Sequence, residues 1–347
     1  MKRQVSERGL WVAHATGIIL LVVVLRSFQD TASSSYENTA TRRKLSAVVE
    51  TAQQWDAVCV GNSMIGFNTD EEKLASLSNL RLRLLWQPGV RASWWYLAGK
   101  RLLEQTSQRP RMLVVFFREN DLTDHSARLF GSYLRDSLAL YETKDREVEE
   151  LAFRRAMSPP RYFMFTNSVA FRHRRVLFHD RAISFAYGRA ADLWSLFGAA
   201  RPRPKSILNQ LFKMGARQPK KTDEGTLEFG LPQSQKMAAL DFDTELKQSL
   251  LPYFFRQAEQ YHTQLVFVHC RTRGDAASNG QDERARYFVE LQRFIIDHGG
   301  QFIDYSNRDT LSINDFVDSA HLNEEGKAKF TTQLAKDLRM IAEDFGG

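Results

Sequence analysis

Asp318 and His321 stand three residues apart in the stretch Asp318-Ser319-Ala320-His321. On a turn, that spacing lets the carboxylate fix one imidazole nitrogen while the other accepts a proton from a hydroxyl. The hydroxyl on offer is Ser63, in Gly61-Asn62-Ser63-Met64, directly after the short apolar run Ala57 to Val60. A serine one step past a strand, in a tight turn that opens a helix, sits where backbone N–H groups point outward. Two further positions offer hydrogen-bond donors at strand ends. Gly89 has no side chain to obstruct approach to its N–H, and Asn120, in Arg118-Glu119-Asn120-Asp121, brings an amide. Together these residue types suit a serine hydroxyl activated as a nucleophile. Each also has a plainer reading: Ser63 as a helix cap, His321 as a surface histidine near a helix start.

Elements of a definite kind must hold these groups together. Ala57 to Val60 reads as a buried parallel strand, Leu80 to Trp86 as a second that ends at Pro88 and Gly89, and Met112 to Phe117 as a third. Leu265 to His269 and Gln301 to Tyr305 complete the strands. Between them, Arg91 to Glu104 has an apolar face at helical spacing, as do Asp282 to Asp297 and Glu324 to Phe345, where Phe330, Leu334, Leu338 and Ile341 recur every three to four residues. Strands alternating with helices predict a mostly parallel sheet covered on both faces. In such sheets chemistry gathers at the carboxyl ends of the strands, which is where Ser63, Gly89 and Asn120 stand.

The order Gly61-Asn62-Ser63, Gly89, Asn120-Asp121 and Asp318-x-x-His321 resembles the four blocks of the SGNH (GDSL-type) serine hydrolases. The likeness covers about 57–124 and 240–345. It implies a flavodoxin-like three-layer α/β/α fold with Ser63 as nucleophile, His321 as general base and Asp318 as its orienting partner. It also implies an oxyanion hole made by Ser63, Gly89 and Asn120. Two positions depart from the family pattern. Asn62 stands where Asp is usual, a change found in several membrane-anchored relatives. Arg118 stands where Gly is usual, and would crowd the pocket, bind an anionic substrate group or point elsewhere.

The remaining chemistry-bearing residues have simpler readings. His269, ending a strand rich in Val and Phe, reads as a satisfied core or rim histidine, and His125 as loop surface that could line the pocket. Cys59 and Cys270 are the only cysteines, too few for a disulfide scaffold, and read as small core residues with a mutual disulfide as the rival. No cluster of His, Asp and Glu has ligand spacing, so neither metal nor cofactor is expected.

The chain has 347 residues, 43% hydrophobic and 26% charged, as expected of a folded globular protein and not of a disordered or multi-span one. Gly9 to Leu25 carries no formal charge over 17 residues, the short end of what spans a hydrocarbon core of about 30 Å. Lys2, Arg3 and Arg8 precede it against Glu7 alone, which keeps the N-terminus cytoplasmic. Residues 1–30 are therefore expected to be a cytoplasmic tip and signal anchor, with a cleaved signal peptide and a buried soluble helix as the rivals. Residues 31–50 read as a polar tether, and 51–347 as the hydrolase-like domain on the outer side of the cell membrane, the periplasmic side in a Gram-negative cell.

The net charge of +7 is unevenly placed. From Arg154 to Lys221 there are fifteen basic residues and two acidic ones, a local net of +13, interleaved with Phe, Tyr and Trp. This stretch falls within an expected helical insertion at about 125–240. Basic plus aromatic composition suits nucleic acid, which an extracytoplasmic location disfavours. Contact with anionic headgroups or a partner, stacking on an acidic glycan, or simple packing with solvated arginines remain as readings. The expected function is thus an anchored esterase or O-acyltransferase that forms an acyl-enzyme on Ser63. The family resemblance extends to membrane-tethered proteins that modify cell-surface polymers, such as the alginate O-acetylation proteins and the D-alanyl transfer protein. It implies a multi-span acyltransferase as partner and an acylated glycan or other ester as substrate. A binding or assembly module with the same fold and no turnover is the alternative.

Overall fold

The computed structural model describes residues 40–51, 55–106, 108–124, 131–155, 241–277 and 284–345. The chain divides into two compact units. One comprises Ala40–Leu129, Asp136–Ala156 and Met214–Gly347 and holds the sheet and the candidate site. The other, Met1–Thr39, Phe130–Arg135 and Met157–Lys213, lies outside the described residues except for 131–135.

Five strands build one sheet: β1 (Ala57–Gly61), β2 (Leu82–Trp86), β3 (Met112–Phe117), β4 (Gln264–His269) and β5 (Gln301–Asp304). Their order is β2-β1-β3-β4-β5 and every pairing is parallel. The expected strands are all present, with ends shifted by a residue or two. Sequence and position agree for a physical reason. β1 and β3 have neighbours on both sides and helices on both faces, so AVCVG and MLVVFF are buried at every residue. β2 lies at an edge and is less uniformly buried, with Leu82 and Leu85 buried and Arg83 exposed.

The helices in chain order are α1 (Ala40–Glu50), α2 (Ser63–Asn68), α3 (Glu71–Ser78), α4 (Ala92–Gln105), α5 (Gly131–Leu140), α6 (Arg146–Val148), α7 (Phe242–Lys247), α8 (Leu251–Tyr261), α9 (Arg273–Ala277), α10 (Arg284–Asp297) and α11 (Glu324–Asp344). A π-helical turn, Glu149–Arg154, continues α6. The side-chain period of two sorts the strand residues between two layers. On one face Cys59, Val114, Phe116, Val266 and Val268 share a core with Met64 and Ile65 of α2, Leu74 of α3 and Leu334 and Leu338 of α11. The alternate residues pack the opposite way. Phe267 meets Phe254 and Phe255 of α8 at ring separations of 6.1 and 5.7 Å. The result is a sheet between two helical layers.

Several expectations are corrected or fall elsewhere. In its described part, the tether expected over 31–50 is helix α1, with Leu45 and Val48 buried. Thr41, also buried, donates to Asp136 at 3.1 Å and continues the same face at positions 41, 45 and 48. Of its apolar residues over 41–50 only Leu45 and Val48 are buried on this face, too few to mark it in the sequence. The beginning of the expected insertion also packs onto the sheet unit. Buried Arg101 of α4 pairs with buried Asp145 and donates to the Leu140 carbonyl at 2.9 Å, while Lys100 pairs with Asp145 at 2.8 Å. The rest of the basic, aromatic stretch and the apolar run Gly9 to Leu25 lie outside the described residues. Among the described residues no helix is long and apolar enough to cross a membrane. Cys59 and Cys270 are both buried and free. Burial pushes the Cys270 thiol up to about 12, with Arg118 opposing.

Candidate active site

The chain leaves β1, passes through Asn62 and enters α2, whose first residue is Ser63. Asn62 is extended (φ −103°, ψ −157°), and its Oδ1 accepts a hydrogen bond from the Met64 N–H at 3.0 Å. The helix is therefore capped by the residue before the serine. That frees the Ser63 hydroxyl, which lies 3.0 Å from His321 Nε2.

His321 belongs to a loop folded back on itself. The Phe316–Leu322 bridge closes it, the Val317 N–H donates to the His321 carbonyl at 2.9 Å, and buried Phe316 and Leu322 anchor it in the core. Asp318 sits at the tip. Its Oδ1 accepts from the Ala320 and His321 N–H groups, each at 2.8 Å, and its Oδ2 lies 2.7 Å from His321 Nδ1. Burial opposes ionisation of Asp318, but the bonds from the His321 ring and these two N–H groups outweigh it and hold the carboxyl below its ordinary range. An ionised carboxylate only accepts. The Nδ1 proton thus points at Asp318, and Nε2 is left to accept the Ser63 proton. The side chains of His321 and Asp318 are 29% and 41% exposed, so the chain of contacts is open to an incoming substrate.

Gly89 and Asn120 follow β2 and β3, the two strands that flank β1. Gly89 has φ 71°, a conformation an L side chain would strain. Asn120 lies in a turn stabilised through its own carbonyl, which accepts from Thr123 N at 3.0 Å and Asp124 N at 2.8 Å. Its half-buried side-chain amide makes no hydrogen bond among the described residues. Glu119 just before it takes φ 47°, whereas Arg118 does not enter the left-handed region, so its backbone accepts a side chain without strain.

Arg118 Nε faces Asp121 Oδ2 at 3.5 Å, and Arg91 Nε faces the other carboxylate oxygen of Asp121 at 3.8 Å. Asp121 is buried. Arg118 thus has an acidic neighbour within its own turn. Asp121 also ties the Gly89 loop, through Arg91, to the Asn120 loop.

The geometry adds neighbours the motif reading had missed. Phe67 presents its ring edge-on to His321, with centroids 5.4 Å apart, and meets the Trp86 ring at the same separation. A signal existed: Phe67 is four residues after Ser63, hence on the same helix face. Trp86 in turn carries Lys44 over its ring at 4.9 Å.

His269 is a satisfied core histidine, as expected. It is 2% exposed, stacks against Phe117 and Phe288, and its Nδ1 bonds Asp304 at 2.9 Å. Burial opposes ionisation of Asp304, yet the bonds from His269 and Ser306 bring its pKa down to about 2. His125 lies outside the described residues. Among the described residues no group of three or more His, Cys, Asp or Glu could hold a metal ion. A cavity of about 470 Å³ opens at the opposite, amino end of the sheet, by Asp56, Met112 and Gln264, away from these groups. No family model matches the chain, and no curated protein is significantly similar to it.

Proposed function

We propose that the protein is an SGNH-type serine enzyme that transfers acyl groups from esters, to water as an esterase or to a hydroxyl as an O-acyltransferase. The reading is carried by one observation, the unbroken line from Asp318 Oδ2 through the His321 ring to Ser63 Oγ, with gaps of 2.7 and 3.0 Å. In this mechanism Ser63 Oγ bonds to the acyl carbonyl carbon while its proton passes to His321 Nε2. Asp318 stabilises the imidazolium that results. Ser63 N–H, Gly89 N–H and the Asn120 amide face the oxyanion. His321 then protonates the alcohol oxygen as the ester C–O bond breaks, leaving an acyl-enzyme. Water or an acceptor hydroxyl gives its proton to His321 and takes the acyl group.

Two features of the sequence support an envelope location for this activity. The apolar run Gly9 to Leu25, preceded by basic residues, suits a membrane anchor with the catalytic unit outside. An anchored enzyme is suited to an acyl donor supplied at the membrane, for which a multi-span acyltransferase is the partner we infer, with a cell-surface polysaccharide as acceptor. The test is turnover of p-nitrophenyl acetate by the full chain in detergent. Activity dependent on Ser63 supports the reading, and added glycan acceptors then separate transfer from hydrolysis.

A further inference from the structure

Ser63 opens α2, and Asn68 closes it five residues later, about 7.5 Å along the axis. Asn68 is 3% exposed, and both ends of its amide are engaged across the chain. Nδ2 donates to the Ala320 carbonyl at 3.0 Å, and Oδ1 accepts from the Leu322 N–H at 2.8 Å. These are the residues immediately before and after His321. One side chain thus holds the backbone on both sides of the histidine, and it does so from the same short helix that carries the serine.

We propose that Asn68 is a positioning residue that sets the His321–Ser63 distance. The inference rests on the reading of those two residues as base and nucleophile. The physical case is one of alternatives. The loop Phe316–Leu322 is also held by its own backbone pairing and Asp318, by the Arg273 N–H bonded to the Ser319 carbonyl at 3.1 Å, and by the packing of Phe316, Ala320 and Leu322 in the core. Those contacts shape the loop and seat it on the core, but, the Ser63–His321 pair aside, none gives it a hydrogen-bonded reference to α2 among the described residues. The two Asn68 bonds supply that reference, and a rigid-body shift of the loop must break both. A buried amide left without partners is also costly, which further resists the shift. A misplacement of about 1 Å between reacting groups is enough to slow chemistry about a hundredfold.

The experiment uses the full chain and compares Asn68→Ala with Thr331→Ala. Thr331 is buried in α11 and accepts from the Asp70 N–H at 3.1 Å, so its loss loosens the same layer without touching the His321 loop. Asn68→Ala is expected to lower kcat for p-nitrophenyl acetate about 10- to 100-fold with little change in KM, while Thr331→Ala leaves kcat within about twofold. A second readout is independent of turnover: the His321 Nε2–Ser63 Oγ distance in crystal structures of the wild type and both variants. It is expected to stay near 3.0 Å in the wild type and in Thr331→Ala, and to pass beyond hydrogen-bond reach in Asn68→Ala. Retention of both kcat and this distance in Asn68→Ala overturns the proposal. If the wild type turns over no ester, the distance alone decides. Its lengthening in Asn68→Ala upholds the positioning role while the enzymatic reading fails, and an unchanged distance there overturns the positioning role as well.

Discussion

The side chain of Asn62 accepts the N–H of Met64 at 3.0 Å, so the helix that begins at Ser63 is capped from the residue before it. Asn and Asp are comparably good caps, so Asn62 can do the capping work of the aspartate in the SGNH pattern that the sequence resembles. Asn62→Asp should therefore keep both fold and ester turnover. Asn62→Ala should cost about 1 kcal/mol in urea unfolding and lower turnover, because the first turn of α2 carries the serine.

Gly66 lies against the Trp86 ring so closely that a Cβ placed there would stand 2.3 Å from ring carbons. Gly66→Ala is expected to destabilise the protein by about 1–3 kcal/mol and to push Trp86 out of its place. Tryptophan fluorescence and chemical unfolding of the variant report the two effects together.

Most of this arrangement could be read from residue order, and the part that could not has a common cause. The five strands were visible because parallel strands buried on both faces leave runs such as MLVVFF. Ser63 was visible because it follows a strand and Gly-Asn, and Asp318 and His321 because their three-residue spacing falls just before the last helix. Helix α1 was missed because only Leu45 and Val48 mark its buried side. The engagement of Arg118 with Asp121 and the reach of Asn68 to residues 320 and 322 were missed for a related reason. Such polar contacts join segments far apart in sequence and leave no local periodicity.

Asp304 titrates well below its ordinary value of 3.8, at about 2, when the protein is folded. A depressed carboxylate contributes stability that is fully present above about pH 4 and lost as pH falls through about 2. The contribution is about 2 kcal/mol. Asp304→Asn should lower stability at neutral pH by about 1–2 kcal/mol and flatten the decline between pH 4 and pH 2. Unfolding free energies measured across that range check both the size and the sign.

Phe67 is 54% exposed although its ring touches His321, so one aromatic face is available beside the base. In the proposed mechanism His321 delivers its proton to the departing alcohol, and Phe67 therefore borders the alcohol half of the ester. Phe67→Ala is expected to lower kcat/KM for acetates of cyclic alcohols about fivefold relative to methyl acetate, the worth of one aromatic contact. The dependence on acyl chain length should be unchanged. A shift in acyl preference with no change among alcohols would place Phe67 on the other side of the scissile bond.

The most direct measurement is hydrolysis of p-nitrophenyl acetate by the wild type and by Ser63→Ala, with circular dichroism showing both to be folded. The expected result is turnover by the wild type, reduced at least about a thousandfold in Ser63→Ala, together with labelling of the wild type alone by a fluorophosphonate. Equal rates in the two proteins, or a folded wild type that neither turns over the ester nor takes the label, would contradict the assignment of Ser63 as nucleophile.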